Sequence, residues 1–101
     1  MIVEYIRYKV EPARAAAFVA AYEAASVQMR ASPHCLGYEL AQCTDAKEHY
    51  ILRILWDSHE GHLKGFRGSD VFKPFFAAVQ PFGKDIEEMR HYDLTPLGWS
   101  R

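Results

Sequence analysis

The stretch YILRILWDSHEGHLKGFRGSDVFKPFFAAVQPF, Tyr50 to Phe82, decides how this chain is read. It opens inside a run, Glu48 to Trp56, with Tyr50, Leu52, Ile54 and Trp56 on one side. His49, Ile51, Arg53 and Leu55 lie on the other, so this is a β-strand with bulk on both faces. A helix start follows, with Asp57 at the cap and Glu60 three residues on, as in a capping box. Gly61, Gly65 and Gly68 each cost a helix about 0.8 to 1 kcal/mol relative to alanine, which predicts a short helix to about Gly65 and a break near Gly68. Pro74 is tolerated only in a first helical turn, so a second helix starts near Ser69 or Asp70 and turns Phe72, Phe75, Phe76 and Val79 to its apolar side. A strand that runs into a broken, aromatic-lined helical layer can frame a small pocket.

Working outward, residues 2–10 also alternate, with Val3, Tyr5, Arg7 and Lys9 on one face and Ile2, Glu4, Ile6, Tyr8 and Val10 on the other. Both faces are again bulky, so the second is either half-wet or covered by another subunit. Pro12 opens an alanine-rich helix over about residues 12–31, with Phe18, Ala21, Tyr22, Ala25 and Met29 as its apolar stripe and Ser32-Pro33-His34 as its end. The small alanines suggest close packing on the sheet. Leu36 to Cys43 reads as a strand joined to the next by the polar turn Thr44 to Lys47. Lys84 to Leu94 is a fourth strand that alternates Ile86, Glu88, Arg90 and Tyr92 with Glu87, Met89 and His91, and Thr95 to Arg101 is a tail. The order β, α, β, β, α, β predicts a single α+β domain over residues 1–101, a ferredoxin-like sandwich with an antiparallel sheet.

Composition narrows the function. The chain has 101 residues, half of them apolar, and a net charge of -1, which argues against a nucleic-acid binder. Charges interrupt every apolar run before bilayer length, and the N-terminus lacks the order of a signal peptide, so no membrane contact and a cytoplasmic location are expected. Cys35 and Cys43 read as two reduced thiols. His59 and His62 stand three apart, but no third ligand has convincing spacing, so no metal site is expected. Arg53, on an otherwise apolar face, calls for an anionic partner.

The combination of Cys35 to Leu40 (CLGYEL), a strand ending Trp56-Asp57-Ser58, then His62-Leu63, Ser69-Asp70-Val71-Phe72 and Phe75-Phe76-Ala77-Ala78 resembles the antibiotic biosynthesis monooxygenase superfamily. The resemblance covers nearly the whole chain. It implies a homodimer whose sheets pack face to face as a dimeric α+β barrel, with a substrate pocket between the helices and the sheet. It also implies a cofactor-independent monooxygenase acting on a small phenolic or quinol-type aromatic with molecular oxygen, the alternative being a non-catalytic dimeric binding module. Haem-degrading relatives use an Asn, a Trp and a haem-ligating His at places held here by Ile6, Phe66 and Phe76, which argues against that chemistry.

Oxidation without metal or flavin needs an electron-rich substrate, such as a deprotonated phenol, together with a proton acceptor and shelter from water. His62, His91 and Glu4 are the candidate acceptors, since histidine titrates near neutrality. Trp56 is read equally as core and as pocket wall, and its indole N–H needs an acceptor and could orient a substrate oxygen. Ile6, Phe66, Phe72 and Phe76 complete the expected lining.

Overall fold

The computed structural model describes residues 1–101. Four strands, β1 (Ile2–Lys9), β2 (Cys35–Gln42), β3 (His49–Trp56) and β4 (Ile86–Asp93), form one antiparallel sheet in the order β2-β3-β1-β4. Helix α1 (Ala15–Ala31) is entered through a 3-10 turn at Pro12–Arg14, and α2 (Phe72–Val79) runs into a second one at Gln80–Asp85. This is the ferredoxin-like α+β sandwich expected from the order of elements.

The central strand sets the register. Glu4 lies opposite Ile54 on β3 and His91 on β4, Ile6 opposite Leu52 and Met89, and Tyr8 opposite Tyr50 and Ile86. Opposed residues of an antiparallel pair share a face, so this row forms the floor under the helices. The unbroken alternation expected over Lys84 to Leu94 is corrected by a bulge: the register slips between Arg7 and Tyr8, leaving Glu87 unpaired and turning Ile86 and Met89 to the same side.

The stripe of α1 lands as its spacing predicts, with Phe18, Tyr22, Ala25 and Met29 buried and Ala21 half-buried. Most of the other alanines face solvent, so they favour the helix through propensity more than through close packing. Phe18 is fully buried and touches the rings of Tyr8, Tyr22, Tyr50 and Phe82 at centroid distances of 4.7, 5.4, 5.0 and 5.3 Å. Truncating such a side chain typically costs about 3 to 5 kcal/mol.

The start of the second helical region differs from the expected capping box by one residue. Ser58 Oγ accepts the Gly61 N–H at 2.8 Å, while the Asp57 carboxylate pairs with His34 Nδ1 at 2.8 Å. Glu60 faces Lys64 at 3.5 Å, and both are exposed. Gly61 and Gly65 sit inside the turn rather than ending it: a Cβ on Gly65 would overlap the His34 ring, and one on Gly61 would overlap the Asp57 carboxylate. The backbone widens there into a π-helical turn, Gly61–Phe66, in which the Arg67 N–H reaches back to the His62 carbonyl at 3.2 Å.

The sheet face turned away from the helices keeps apolar bulk in solvent, with Tyr5 37%, Ile51 41% and Tyr92 47% exposed. Arg53 on this face is half-exposed rather than buried, and lies 3.7 Å from Glu39. Arg90 faces Glu88 at 3.4 Å. Cys35 and Cys43 are free thiols. No helix is long and apolar enough to cross a membrane. Residues 94–101 form no regular element, and Leu97 and Trp99 are exposed.

Candidate active site

The end of β3, the π-helical turn and the paired strands β1 and β4 converge on one buried carboxylate. Glu4 is 2% exposed, and its Oε1 accepts the Trp56 indole N–H at 3.0 Å. The widened turn lays the His62 ring flat on Trp56, with centroids 4.3 Å apart and planes 15° from parallel. That stacking aims the two His62 ring nitrogens at different partners: Nε2 lies 3.5 Å from Glu4 Oε1, and Nδ1 bonds His91 Nε2 at 2.8 Å. His91 Nε2 is also 3.7 Å from Glu4 Oε2, a consequence of the cross-strand register. The His62 side chain is 4% exposed and that of His91 22%, so the chain Trp56–Glu4–His62–His91 runs from the interior toward solvent.

Burial sets the charge states. It raises the Glu4 carboxyl above the usual range, against the opposing pull of the Trp56 hydrogen bond and of the Arg67 charge. It also pushes His62 down to about 3, with further depression from Arg67, His91 and His59. His91 is lowered by burial and by the charges of His59 and Arg67. At neutral pH both imidazoles are uncharged, and the carboxyl is poised closer to neutrality than a solvated one.

Glu4, His62 and His91 offer ligand atoms within 4.8 Å of one another, a spacing that a metal ion could use. Each group nevertheless has a partner without an ion. His62 Nδ1 is engaged by its hydrogen bond to His91, and its Nε2 faces the Glu4 carboxylate at 3.5 Å. No third ligand is legible beside His59 and His62 in the chain order because the neighbours of His62 come from β1 and β4.

A cavity of about 350 Å³ opens above Glu4. Ile6 and Ile54 form its floor, Phe66, Phe72, Phe75 and Phe76 its aromatic wall, and Trp56 and His62 one end. Seven of the eight residues singled out from the sequence, Glu4, Ile6, Trp56, His62, Phe66, Phe72 and Phe76, line it; His91 stands behind His62 and touches the cavity through that ring. Arg67, Tyr8, Tyr22 and Met89 also line it and were missed. Tyr8 was within reach of the strand's alternation, which puts it on the face of Glu4 and Ile6. A larger concavity of about 510 Å³ near the β2–β3 turn has polar Arg7, Thr44 and His49 among its lining, and lies away from the Glu4–His62–His91 chain.

The profile of the antibiotic biosynthesis monooxygenase family matches residues 1–78. The chain belongs to that family. Among solved structures named for the same family, one from Bordetella bronchiseptica is 25% identical, with a TM-score of 0.73 over 93% of this chain and 96% of that one. Another, from Caulobacter crescentus CB15, is 26% identical, with a TM-score of 0.73 over 93% and 89%. A conserved protein from Methanosarcina mazei Go1, 21% identical with a TM-score of 0.74 over 90% and 89%, shares the fold. The uncharacterised protein YczJ of Bacillus subtilis (strain 168) is 27% identical over 55 residues, which are 54% of this chain and 58% of that relative.

Proposed function

We propose that this member of the antibiotic biosynthesis monooxygenase family is a cofactor-independent monooxygenase that oxidises a small phenol or quinol with molecular oxygen. The observation that carries the reading is the buried Trp56–Glu4–His62–His91 chain at one end of an aromatic-walled cavity. An aromatic ligand stacked among Phe66, Phe72 and Phe76 presents its hydroxyl to Glu4, which accepts the proton, and His62 and His91 lead it toward solvent. The resulting phenolate gives one electron to oxygen, and the radical pair joins through a new carbon–oxygen bond as a hydroperoxide. Loss of water then leaves a quinone: the substrate gives up two hydrogens, takes one oxygen atom, and the second oxygen leaves as water. Apolar walls shelter the phenolate and the peroxide from solvent. The apolar residues at the haem-enzyme positions, Ile6, Phe66 and Phe76, support a site for a free aromatic rather than for haem.

The exposed Tyr5, Ile51 and Tyr92 face supports a homodimer with the two sheets packed together. The test of function is oxygen uptake with a panel of hydroquinones and anthrones. Uptake above the spontaneous rate is expected, and it should fall about 10² to 10⁴-fold in Glu4→Gln, which keeps an oxygen for Trp56 but cannot accept the proton. Spontaneous rates with every substrate would refute oxidation and leave a binding module.

A further inference from the structure

We propose that Tyr8 and Tyr22 form a second oxygen-binding point in the cavity, donating a hydrogen bond to a carbonyl oxygen of an aromatic ligand whose hydroxyl reaches Glu4. The inference rests on the cavity being the ligand site proposed above, but not on oxidation taking place there. Both tyrosines line the cavity, and they are 2% and 6% exposed. Their hydroxyls bond each other, and neither makes another hydrogen bond within the protein. Burial holds both phenols above their ordinary range, so both keep their protons. Two hydroxyl protons are therefore present, and only one can lie between the two oxygens. The other has no protein acceptor, and a buried donor without an acceptor is unfavourable. A ligand oxygen that only accepts hydrogen bonds is its natural complement.

Position adds an orientation. Tyr8 stands four residues beyond Glu4 on the same face of β1, with Ile6 between them, which separates their Cα atoms by about 13 Å. The carboxylate and the hydroxyl pair therefore rise from opposite ends of the cavity floor, and a ligand between them makes a hydrogen bond of roughly 2.8 Å at each end. A flat fused-ring ligand with oxygens at opposite ends would lie across Ile6 beneath the phenylalanines. Glu4 and His62 would read the hydroxyl end, and the tyrosine pair the carbonyl end.

The alternative, a pair that only clasps α1 to β1, is separated by calorimetric titration of the full chain with 6-hydroxy-2-naphthaldehyde and with 2-naphthol. Wild type should bind the aldehyde about 5 to 30-fold more tightly, the worth of one buried hydrogen bond. The Tyr8→Phe/Tyr22→Phe double variant should lose that preference, read as the ratio of its own affinities for the two probes. If the double variant does not fold, the two single variants carry the test, since at least one must lower the preference by about threefold or more. A wild type with no preference, variants that keep it, or no binding of either probe overturns the proposal. Preference without oxygen uptake refutes the oxidation alone.

Discussion

His62 decides whether the site holds a neutral hydrogen-bonded chain or an imidazolium–carboxylate pair, and His62→Phe tests it. The substitution keeps a ring against Trp56 and removes one titrating group. An unfolded histidine takes up its proton near pH 6.5, whereas native His62 does so only near 3. Between those values the unfolded state binds the extra proton, so stability from this group is present above 6.5 and is lost as pH falls through the native value. At pH 4.5 the loss is about 2.7 kcal/mol, from two pH units at about 1.36 kcal/mol each. Glu4 works in the opposite sense: its raised carboxyl gives stability that is lost as pH rises, but it is present in both proteins and largely cancels in the difference. His91, His59 and Arg67, the other groups facing His62, also remain in both. Relative to wild type, His62→Phe should therefore gain about 2.7 kcal/mol between pH 7.5 and pH 4.5, roughly 10 to 20 °C in relative Tm for a domain of this size. Thermal unfolding followed by circular dichroism across that range reads it directly. A difference that does not change with pH, or that moves the other way, would mean that native His62 carries a proton and would refute the neutral chain.

Three further outcomes are expected. Gly65→Ala should destabilise the fold by about 1 to 2 kcal/mol in urea titration, because overlap with the His34 ring outweighs the helix-propensity gain; a stabilised variant would show that His34 moves aside freely. Ile51→Asp should convert a dimer into a monomer in sedimentation at micromolar concentration, since it places a charge on the exposed apolar sheet face, and a monomeric wild type would contradict the dimer outright. Prolonged chelation should leave oxygen uptake unchanged, as Glu4 is held by the Trp56 N–H and His62 by His91 without an ion. Activity that is lost with chelator and restored by a divalent ion would convert the chain into a metal centre.

The legible parts of the site were those set by strand and helix periodicity. Alternation along β1 put Glu4 and Ile6 on one face, and the same face of β3 ends in Trp56. The spacing of Phe72, Phe75 and Phe76 predicted an aromatic side for α2, and all three line the cavity. The cap was misplaced by one residue because Asp57 and Ser58 are both good capping residues, and the competing partner of Asp57, His34, comes from another loop. The bulge at Glu87 was not legible either, since each residue of β4 is a plausible member of a regular strand.

Sequence by itself determined the element order, the buried faces of β1, β3 and α1, and the fold, because periodicity, turn chemistry and proline placement are local properties. Only the tertiary structure decided that Glu4, His62 and His91 meet. Their meeting depends on which residues the β1–β4 register sets opposite one another, and on a turn widened into a π-helix where Gly61 and Gly65 make room for Asp57 and His34. The shifted proton affinities follow from the same step, since burial is a property of the packed molecule and of no single segment.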